Sequence, residues 1–236
     1  MNFMVVEQQI ILQQYNNIAY SDAWKIQEDL FNNKVQLKIY NRTAAHLKPV
    51  SHHLILCTHP HVYTLGKSGL LEHLLLNNES LKEHQIEFFK INRGGDITYH
   101  GPGQIVGYPI LDLDQYYTDI GRYLRDLEEV IIRTIAHYNI TGGRIPGLTG
   151  VWLGIDTDHP RKICAMGIRA SRWITMHGFA LNVNTDLSFF DHIVPCGITD
   201  KGVTSIQKET GRKVDEKEVQ SLIIKYFEEV FDSKVS

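Results

Sequence analysis

The sequence predicts an α+β fold in which a mixed sheet is flanked by helices. Strand-like segments outnumber helix-like segments, and several of the strand-like segments follow one another directly. No internal repeat, linker or low-complexity tract interrupts the 236 residues. One domain spanning residues 1–236 is therefore the simplest arrangement.

The first half of the chain supplies one predicted helix and four predicted strands. Ser21 is a candidate N-cap for a helix that ends near Phe31. VQLKIY (35–40) alternates between apolar and polar residues, as a half-buried strand does, and HLILC (53–57) is typical of a fully buried one. EFFKI (87–91) and IVGYPIL (105–111) complete the four.

The second half contains the two most regular helical patterns. Thr118 or Asp119 caps a helix whose apolar stripe comprises Ile120, Leu124, Leu127, Ile131 and Ile135. Three strand-like segments follow: GVWLG (150–154), RKICAMGIR (161–169) and WITMHGFALNV (173–183). A final helix runs from about Asp215 to Phe231, with Glu218 in a candidate capping box. Its predicted inward residues are Leu222, Ile223, Tyr226 and Val230.

Composition excludes several classes of protein. Hydrophobic residues make up 43% and charged residues 22%, as in an ordinary globular domain, and the net charge of −3 offers no basic face for nucleic acid. No signal peptide or membrane-spanning run is evident. Three cysteines are too few for a disulfide framework and suit reduced thiols, so we expect a cytoplasmic location.

The segment CTHPHVYTLGKSG (57–69) offers two weak signals. Cys57, His59 and His61, with His52 and His53 nearby, are metal-ligating residue types, but no second cluster completes a tetrahedral site. A loop rich in polar caps is the preferred interpretation, with no metal. The GKS at 66–68 resembles the end of a phosphate-binding loop, yet the glycine required five positions earlier is replaced by His61.

RGGDITYHGPGQIVGYPI (93–110) carries a stronger signal. Glycines allow positive φ and close approach of the backbone to a ligand. Arg93 adds a fixed charge, and His100 adds a group that ordinarily titrates near neutrality. A Gly-Pro-Gly turn accounts for residues 101–103 but not for the polar side chains beside it. We therefore expect a ligand-lining loop.

HIVPCGI (192–198) is the second concentration of unusual residues. Pro195 and Gly197 place Cys196 at a turn, where its sulfur could meet a substrate, although a lone cysteine is more often a small buried hydrophobe. Cys164 lies among alternating apolar residues in KICAM, and packing explains it.

Six motifs together resemble the lipoyl (octanoyl) transferase family along nearly the whole chain. In order they are HPHVYTLGKSG, RGGDITYHGPGQIVGYPI, GVWLG, RKICAMGIR, HGFALNVNTDLSFFDHIVPCGI and VTS. The family is similar in fold to the biotin and lipoate protein ligases. The resemblance implies that Cys196 forms a thioester intermediate and that Lys162 supports its thiol. It also implies substrate-binding residues at Arg93, Gly94, Gly95, Asp96, Ile97, Thr98, Tyr99, His100, Ala165, Met166, Gly167, Gly178, Phe179 and Ala180.

The resemblance further implies a donor, acceptors and no cofactor. Acyl carrier protein would deliver the octanoyl group on its phosphopantetheine, so no ATP is expected. Lipoyl domains of 2-oxoacid dehydrogenase complexes and the glycine cleavage H protein would accept it. Backbone N–H groups near Gly167 or Gly178 are candidate oxyanion donors, and His100 and His177 are candidates for orientation or proton handling. An ATP-dependent ligase, a non-catalytic acyl-binding module and a lipoyl amidotransferase remain alternatives.

Overall fold

The computed structural model of this chain describes residues 8–194 and 201–236. The strands are β1 (Gln8–Tyr15), β2 (His52–Cys57), β3 (Val62–Leu65), β4 (Glu87–Lys90), β5 (Ile97–His100), β6 (Gln104–Ile110), β7 (Gly143–Ile145), β8 (Leu148–Leu153), β9 (Arg161–Ser171), β10 (Ile174–Asn182), β11 (Gly202–Val203) and β12 (Ser233–Val235). The α-helices are α1 (Tyr20–Asn41), α2 (Asn78–Glu83), α3 (Ile120–Ala136), α4 (Ile206–Thr210) and α5 (Glu216–Phe231).

A large mixed sheet forms the centre of the molecule. Its strand order is β12-β1-β2-β6-β10-β9-β8-β7, and β11 pairs with β9. β1 is parallel to both β12 and β2, whereas β2, β6, β10, β9 and β8 are antiparallel to their successors. The predicted α+β fold with a mixed sheet is therefore confirmed. Strands predicted at 53–57, 87–91, 105–111, 150–154, 161–169 and 173–183 are all present.

Helices cover both faces of this sheet. On one face, α3 and α5 pack on a core that includes Leu54 and Leu56 of β2. On the other face, α1 packs on a second core that includes Ile55 and Cys57 of the same strand. Successive strand residues point to opposite faces, so HLILC is buried throughout because both faces are covered. None of the helices in the described ranges is both long and apolar enough to cross a membrane.

A second sheet, in the order β4-β3-β5, lies beside the first. Its side chains, including Tyr63 and Tyr99, pack with Phe190 in a separate apolar cluster. Two segments expected to be loops are strands here: residues 62–65 form β3, and residues 97–100 form β5, paired antiparallel to β3. Within the 93–103 stretch, the irregular backbone lies at residues 93–96 and 101–103.

The predicted strand at 35–40 is wrong, because these residues continue α1. The buried face of α1 comprises Tyr20, Ala23, Gln27, Phe31 and Lys34, which recur every three or four positions. Two of these five residues, Gln27 and Lys34, are polar. A search for a helical periodicity of apolar residues therefore does not detect the full length of the helix. The helix also begins at Tyr20 after Ala19, without a side-chain cap, so Ser21 is not the N-cap.

The two later helices agree with prediction except in detail. The Asp119 side chain accepts a hydrogen bond from the Arg122 backbone N–H (2.9 Å) and caps α3. Asp215 similarly caps α5 through Lys217 (2.9 Å). Glu218 contacts Tyr138 rather than closing a capping box. The fully buried row of α5 is Val219, Ile223, Phe227 and Phe231, and the predicted Leu222, Tyr226 and Val230 are only partly buried.

Candidate active site

A cavity of about 560 Å³ opens between the 93–100 segment and strands β9 and β10. Its size is typical of small-molecule sites, which span roughly 300–1,000 Å³. The predicted site residues that line it are Arg93, Gly94, Gly95, Asp96, Ile97, Thr98, His100, Lys162, Ala165, Met166, Gly167, Gly178, Phe179 and Ala180. Segments distant in the sequence therefore converge on one space.

The 93–96 segment lies directly on β9. The Gly94 backbone N–H donates to the Ile168 carbonyl oxygen (2.8 Å). A Cβ on Gly167 would lie 2.6 Å from the Gly94 carbonyl oxygen, closer than real Cβ contacts come. Glycine at 167 is therefore what allows this segment to form one wall of the cavity.

Arg93 fixes that segment to the smaller sheet. Its guanidinium donates to the Thr64 carbonyl oxygen (2.7 Å) and to the Thr64 hydroxyl (3.0 Å) on β3, and to the Gly94 carbonyl oxygen (3.1 Å). The side chain is buried and also lines the cavity. Arg93 thus positions the backbone around it while contributing positive charge to the wall.

Asp96 connects the same segment to the short 3-10 helix at Leu71–His73. One carboxylate oxygen of Asp96 accepts from His73 Nδ1 (2.6 Å), and the other accepts from the Ile97 backbone N–H (2.7 Å). The His73 carbonyl oxygen in turn accepts from the Val194 backbone N–H (2.9 Å). The 71–76 segment is therefore bonded both to the cavity wall and to residues 192–194.

Tyr99 differs from its neighbours, since it is not among the residues that line the cavity. It lies on β5 with its ring stacked on Phe189 (centroids 4.9 Å apart) and its hydroxyl 2.7 Å from His61 Nδ1. Thr98 and His100, which alternate with Tyr99 along β5, line the cavity, and so does Ile97 at the start of the strand, although Ile97 shares an apolar cluster with Tyr99. The geometry gives Tyr99 a packing role beneath the site.

His100 and His177 line the cavity but do not titrate near neutrality, contrary to the expectation for His100. Burial, helped by nearby positive charge, lowers the pKa of each to about 3. His100 Nδ1 donates to Gln104 Oε1 (2.8 Å), and His177 Nε2 donates to Asn92 Oδ1 (3.2 Å). Both imidazoles are therefore neutral at pH 7 and serve as fixed polar groups.

Lys162 is the cation that β9 brings to the cavity. Val151 pairs with Cys164 and Trp152 pairs with Lys162, so Ile163 is an extra residue in the β8–β9 ladder. This bulge lets Ile163 and Cys164 both pack in the main core while Lys162 lines the cavity. The Lys162 Nζ atom lies 4.5 Å from the centroid of the Trp152 ring.

Cys196, the predicted nucleophile, lies outside the described residues. Lys201, Gly202 and Val203, which follow it closely in the sequence, line the same cavity as Lys162. Cys164 is fully buried in the main core, as packing predicts, and burial raises the pKa of its thiol.

The cysteine and histidines at 52–61 are used in packing and hydrogen bonding. His59 Nδ1 donates to the Ile18 carbonyl oxygen (2.8 Å), and Nε2 accepts from the Tyr108 hydroxyl (2.8 Å). Cys57 lies 3.4 Å from the same Nε2 atom. In the described ranges, no three His, Cys, Asp or Glu side chains are grouped as a metal site.

Several lining residues were not predicted as site residues. They include Tyr20 of α1, Leu124 of α3, Leu148 and Trp152 of β8, Phe190, and Lys201 to Val203. Trp152 and Val203 lie in two of the motifs, GVWLG and VTS, and so had a signal. Tyr20 and Leu124 had none, because only tertiary packing brings their helices to the cavity.

Known proteins are similar to this chain both in sequence and in architecture. Residues 19–228 match the family described as the lipoyl protein ligase A/B catalytic domain. The chain is 58% identical over 231 residues to an octanoyltransferase of Flavobacterium johnsoniae, covering 98% of this chain and 100% of that relative. It is 56% identical to an octanoyltransferase of Flavobacterium psychrophilum, covering 96% and 98% respectively.

Solved structures with low sequence identity share the fold. Lipoate-protein ligase A bound with ATP superposes with a TM-score of 0.68 at 16% identity, covering 98% of this chain and 88% of that one. A bi-partite lipoate protein ligase from Thermoplasma acidophilum gives 0.68 at 15% identity, covering 98% and 86%. The sheet and its helices thus have the fold of a lipoate-ligase-type catalytic domain. The chain belongs to the lipoyl protein ligase A/B family and, within it, to the octanoyltransferases.

Proposed function

We propose that this protein transfers an octanoyl group from acyl carrier protein to the acceptor lysine of lipoyl domains, through a thioester on Cys196. The observation that carries the proposal is the cavity in which Lys162 lies with the predicted acyl-pocket residues, in a chain 58% identical to a named octanoyltransferase. The proposed acceptors are lipoyl domains of 2-oxoacid dehydrogenase complexes and the glycine cleavage H protein, and the proposed location is the cytoplasm.

In the first half-reaction, the Cys196 thiolate attacks the carbonyl carbon of the donor thioester. A new C–S bond forms to Cys196, the C–S bond to phosphopantetheine breaks, and the leaving sulfur takes a proton from the Lys162 ammonium. A free thiol has a pKa of about 8.5 and is only a few per cent ionised at pH 7, so a neighbouring cation favours the reactive form. Thioester exchange already carries its activation, so no ATP is required.

In the second half-reaction, the neutral amine of the acceptor lysine attacks the acyl carbon. An amide C–N bond forms, the bond to Cys196 breaks, and Lys162, now neutral, takes the proton that the amine loses. This step restores the thiolate and the ammonium together. Backbone N–H groups near Gly167 or Gly178 are the proposed stabilisers of the oxyanion in both halves.

The apolar part of the cavity wall suits an aliphatic chain. Met166, Phe179, Ala180 and Leu148 contribute side chains to it. Each buried methylene contributes about 0.8 kcal/mol, so the octanoyl tail as a whole would contribute roughly 5 kcal/mol. The neutral histidines His100 and His177 add no buried charge that would oppose this binding.

Intact-mass spectrometry tests the intermediate. Incubation with octanoyl-acyl carrier protein is expected to add one octanoyl group, located to the peptide that contains Cys196. Cys196→Ala should abolish both adduct and transfer, whereas Cys57→Ala and Cys164→Ala, which alter buried thiols, serve as matched controls that keep the adduct. Transfer at the wild-type rate by Cys196→Ala would refute the mechanism.

The same assay separates the alternatives. An ATP-dependent ligase would modify a lipoyl domain from free octanoate only when ATP is present. A binding module would retain octanoyl-acyl carrier protein without turnover. An amidotransferase would prefer an octanoylated or lipoylated protein as donor over the acyl carrier protein. We expect product from octanoyl-acyl carrier protein without nucleotide.

A further inference from the structure

The cavity contains an aromatic side chain that the proposed reaction does not use. Trp152 lies on β8, is 2% exposed and lines the cavity. Its neighbours Val151 and Leu153 pack in the main core beneath α3 and α5. Because strand residues alternate between faces, the Trp152 indole lies on the other side and forms part of the cavity wall.

The ring of Trp152 lies against the end of the Lys162 side chain. The two residues are direct partners in the β8–β9 ladder, and Nζ is 4.5 Å from the ring centroid, within the range of about 6 Å for a cation–π contact. Gly150, two residues earlier, lets the β8 backbone lie close to β9, since a Cβ there would lie 2.5 Å from the Cys164 carbonyl oxygen, whereas Lys162 Cδ and Cε would be at an ordinary contact distance of 3.6 Å.

We propose that Trp152 is a positioning residue that holds Lys162 over its ring face in the ammonium form, the form with which the acyl transfer begins. The inference rests on the proposed function, because it assigns Lys162 a proton to give. It adds a residue that acts through Lys162 and does not itself touch the reacting atoms.

The physical basis is that the negative face of an aromatic ring attracts an ammonium and not a neutral amine. The described charged groups around the cavity have contacts of their own. Lys201 and Arg93 line the same cavity and oppose a further cation. Glu128 is ion-paired with Arg125 and Arg144 and accepts from the Gly150 N–H, and Glu209 is paired with Arg161. The Asp96 carboxylate, which also lines the cavity, accepts from His73 Nδ1 and from the Ile97 N–H. Among the other described titratable groups nearby, burial lowers the pKa of His100 and His177 and raises the pKa of Cys164, Tyr20 and Tyr108, so all five are neutral at pH 7.

The contact also fits the proton sequence of the reaction. Before acylation, the ring favours the charged form of Lys162, which is the form that the proposed first half-reaction uses. Once the leaving sulfur has taken the proton, the neutral amine is no longer attracted to the ring. Lys162 is then able to leave the ring and meet the incoming acceptor amine.

Two substitutions isolate the ring face. Trp152→Phe and Trp152→Leu both remove the indole N–H and much of the volume, but only phenylalanine keeps an aromatic face over Lys162. The first readout is the titration of Lys162 Cε, followed by NMR in protein labelled with ¹³C-lysine and assigned with Lys162→Arg. We expect the midpoint in Trp152→Leu to lie below that in Trp152→Phe by roughly half a pH unit to one unit.

The second readout is the pH dependence of octanoyl adduct formation at Cys196. The alkaline limb of the rate profile should move to lower pH in Trp152→Leu and remain closer to that of the unsubstituted protein in Trp152→Phe. Tyr226→Leu is the matched control, since Lys225 lies 5.2 Å from the Tyr226 ring on α5, outside the cavity lining. It should leave both readouts unchanged.

The outcomes separate the two proposals. Equal Lys162 midpoints in the phenylalanine and leucine variants would overturn the role of Trp152, whatever the activity. A lower midpoint in Trp152→Leu supports that role even if the unsubstituted protein forms no adduct at Cys196, a result that would instead refute the proposed function. Thermal unfolding of each variant checks that the β8–β9 pairing survives.

Discussion

At the scale of single residues, glycines determine how closely the cavity walls approach one another. Gly167 on β9 allows the Gly94 carbonyl oxygen to approach to a distance that a Cβ would forbid. Gly107 on β6 does the same for the Phe179 ring, which a Cβ there would meet at 2.1 Å. Both contacts join residues that are far apart in the sequence, so they shape the cavity only in the folded chain.

Gly167→Ala should impair the site more than the fold. The new methyl group meets backbone rather than a flexible side chain, so the 93–96 segment must shift away from β9. We expect a loss of about 1–3 kcal/mol in the free energy of unfolding and a fall in transfer rate between about tenfold and a hundredfold. Urea unfolding and steady-state kinetics measure the two effects.

The control is Gly121→Ala, in the exposed first turn of α3, where the nearest atom to a Cβ is 3.3 Å away. It should keep wild-type transfer. If Gly167→Ala were as active as this control, the close approach of Gly94 would have no bearing on the cavity.

The sequence predicts which residue types form the site better than it predicts their protonation states and contacts. The glycine-rich stretch is indicated by its own residue types, whereas Lys162 is indicated only by the resemblance to a family. The pKa of His100 does not, because it depends on burial against Tyr20, whose ring stacks on it 5.9 Å away. The contact between Trp152 and Lys162 could not be predicted either, because it depends on the bulge at Ile163, which places Lys162 over the ring.

At the scale of elements, the 3-10 helix at Leu71–His73 connects two parts of the site. His73 donates to the buried Asp96 carboxylate in the cavity wall, while the backbone of residues 73–75 bonds to His192 and Val194. Leu74 and Ile193 add an isolated bridge and pack in the same apolar cluster. Through His73, the 192–194 segment is therefore connected to the cavity wall at Asp96.

His73→Phe should weaken this connection. Asp96 is 7% exposed, so loss of its donor leaves a buried carboxylate poorly satisfied. We expect the free energy of unfolding to fall by about 1.5–3 kcal/mol, together with a slower transfer rate. Asp96→Asn should also be destabilised, since an amide offers one acceptor oxygen where the carboxylate offers two, one to His73 and one to the Ile97 N–H.

A double-mutant cycle measures the pair itself. The combined variant should be less destabilised than the sum of the single variants by at least about 0.5 kcal/mol, because both changes remove one interaction. His137→Phe, which alters a solvent-exposed histidine 3.6 Å from Glu218, is the comparison. Additive losses at His73 and Asp96 would show that the 2.6 Å contact is not energetically coupled.

Helix α1 shows why element prediction fails where it does. Its buried face includes Lys34, which donates to the Ser51 hydroxyl (3.0 Å), and it continues to Lys38, which bonds Asp112 (2.5 Å). These partners lie on other elements and are invisible in a local window. The segment 35–40 alternates by chance as a strand does, whereas β9 and β10 were predicted well because their apolar residues do face the cores.

At the scale of the whole molecule, the order of the strands in the sheet could not be predicted from the sequence, although the fold class could. β6 lies between β2 and β10, and β12 joins the edge beside β1, so neighbours in the sheet are distant in the chain. Periodicity indicates strands and helices, and hence the α+β class. The order depends on which faces α1, α3 and α5 cover, and this is a property of the assembled cores.

The assembled fold buries several histidines in neutral form, among them His52, His53, His59, His100 and His177, and this predicts acid sensitivity. Burial lowers the pKa of His59 to about 4 and those of His100 and His177 to about 3, against about 6.5 in an unfolded chain. Between those values the unfolded state binds more protons, so stability is full above pH 6.5 and is lost as pH falls toward 4. Each histidine contributes a slope of up to about 1.4 kcal/mol per pH unit.

His59→Gln tests this without altering a cavity-lining residue. The variant should be less stable at pH 7, since the bonds to Ile18 and Tyr108 are disturbed, yet its stability should depend less steeply on pH between 6 and 4.5, by about one proton. Urea unfolding at several pH values gives both quantities, and the exposed His137→Gln should retain the wild-type slope. An unchanged slope in His59→Gln would contradict the burial of a neutral imidazole at this position.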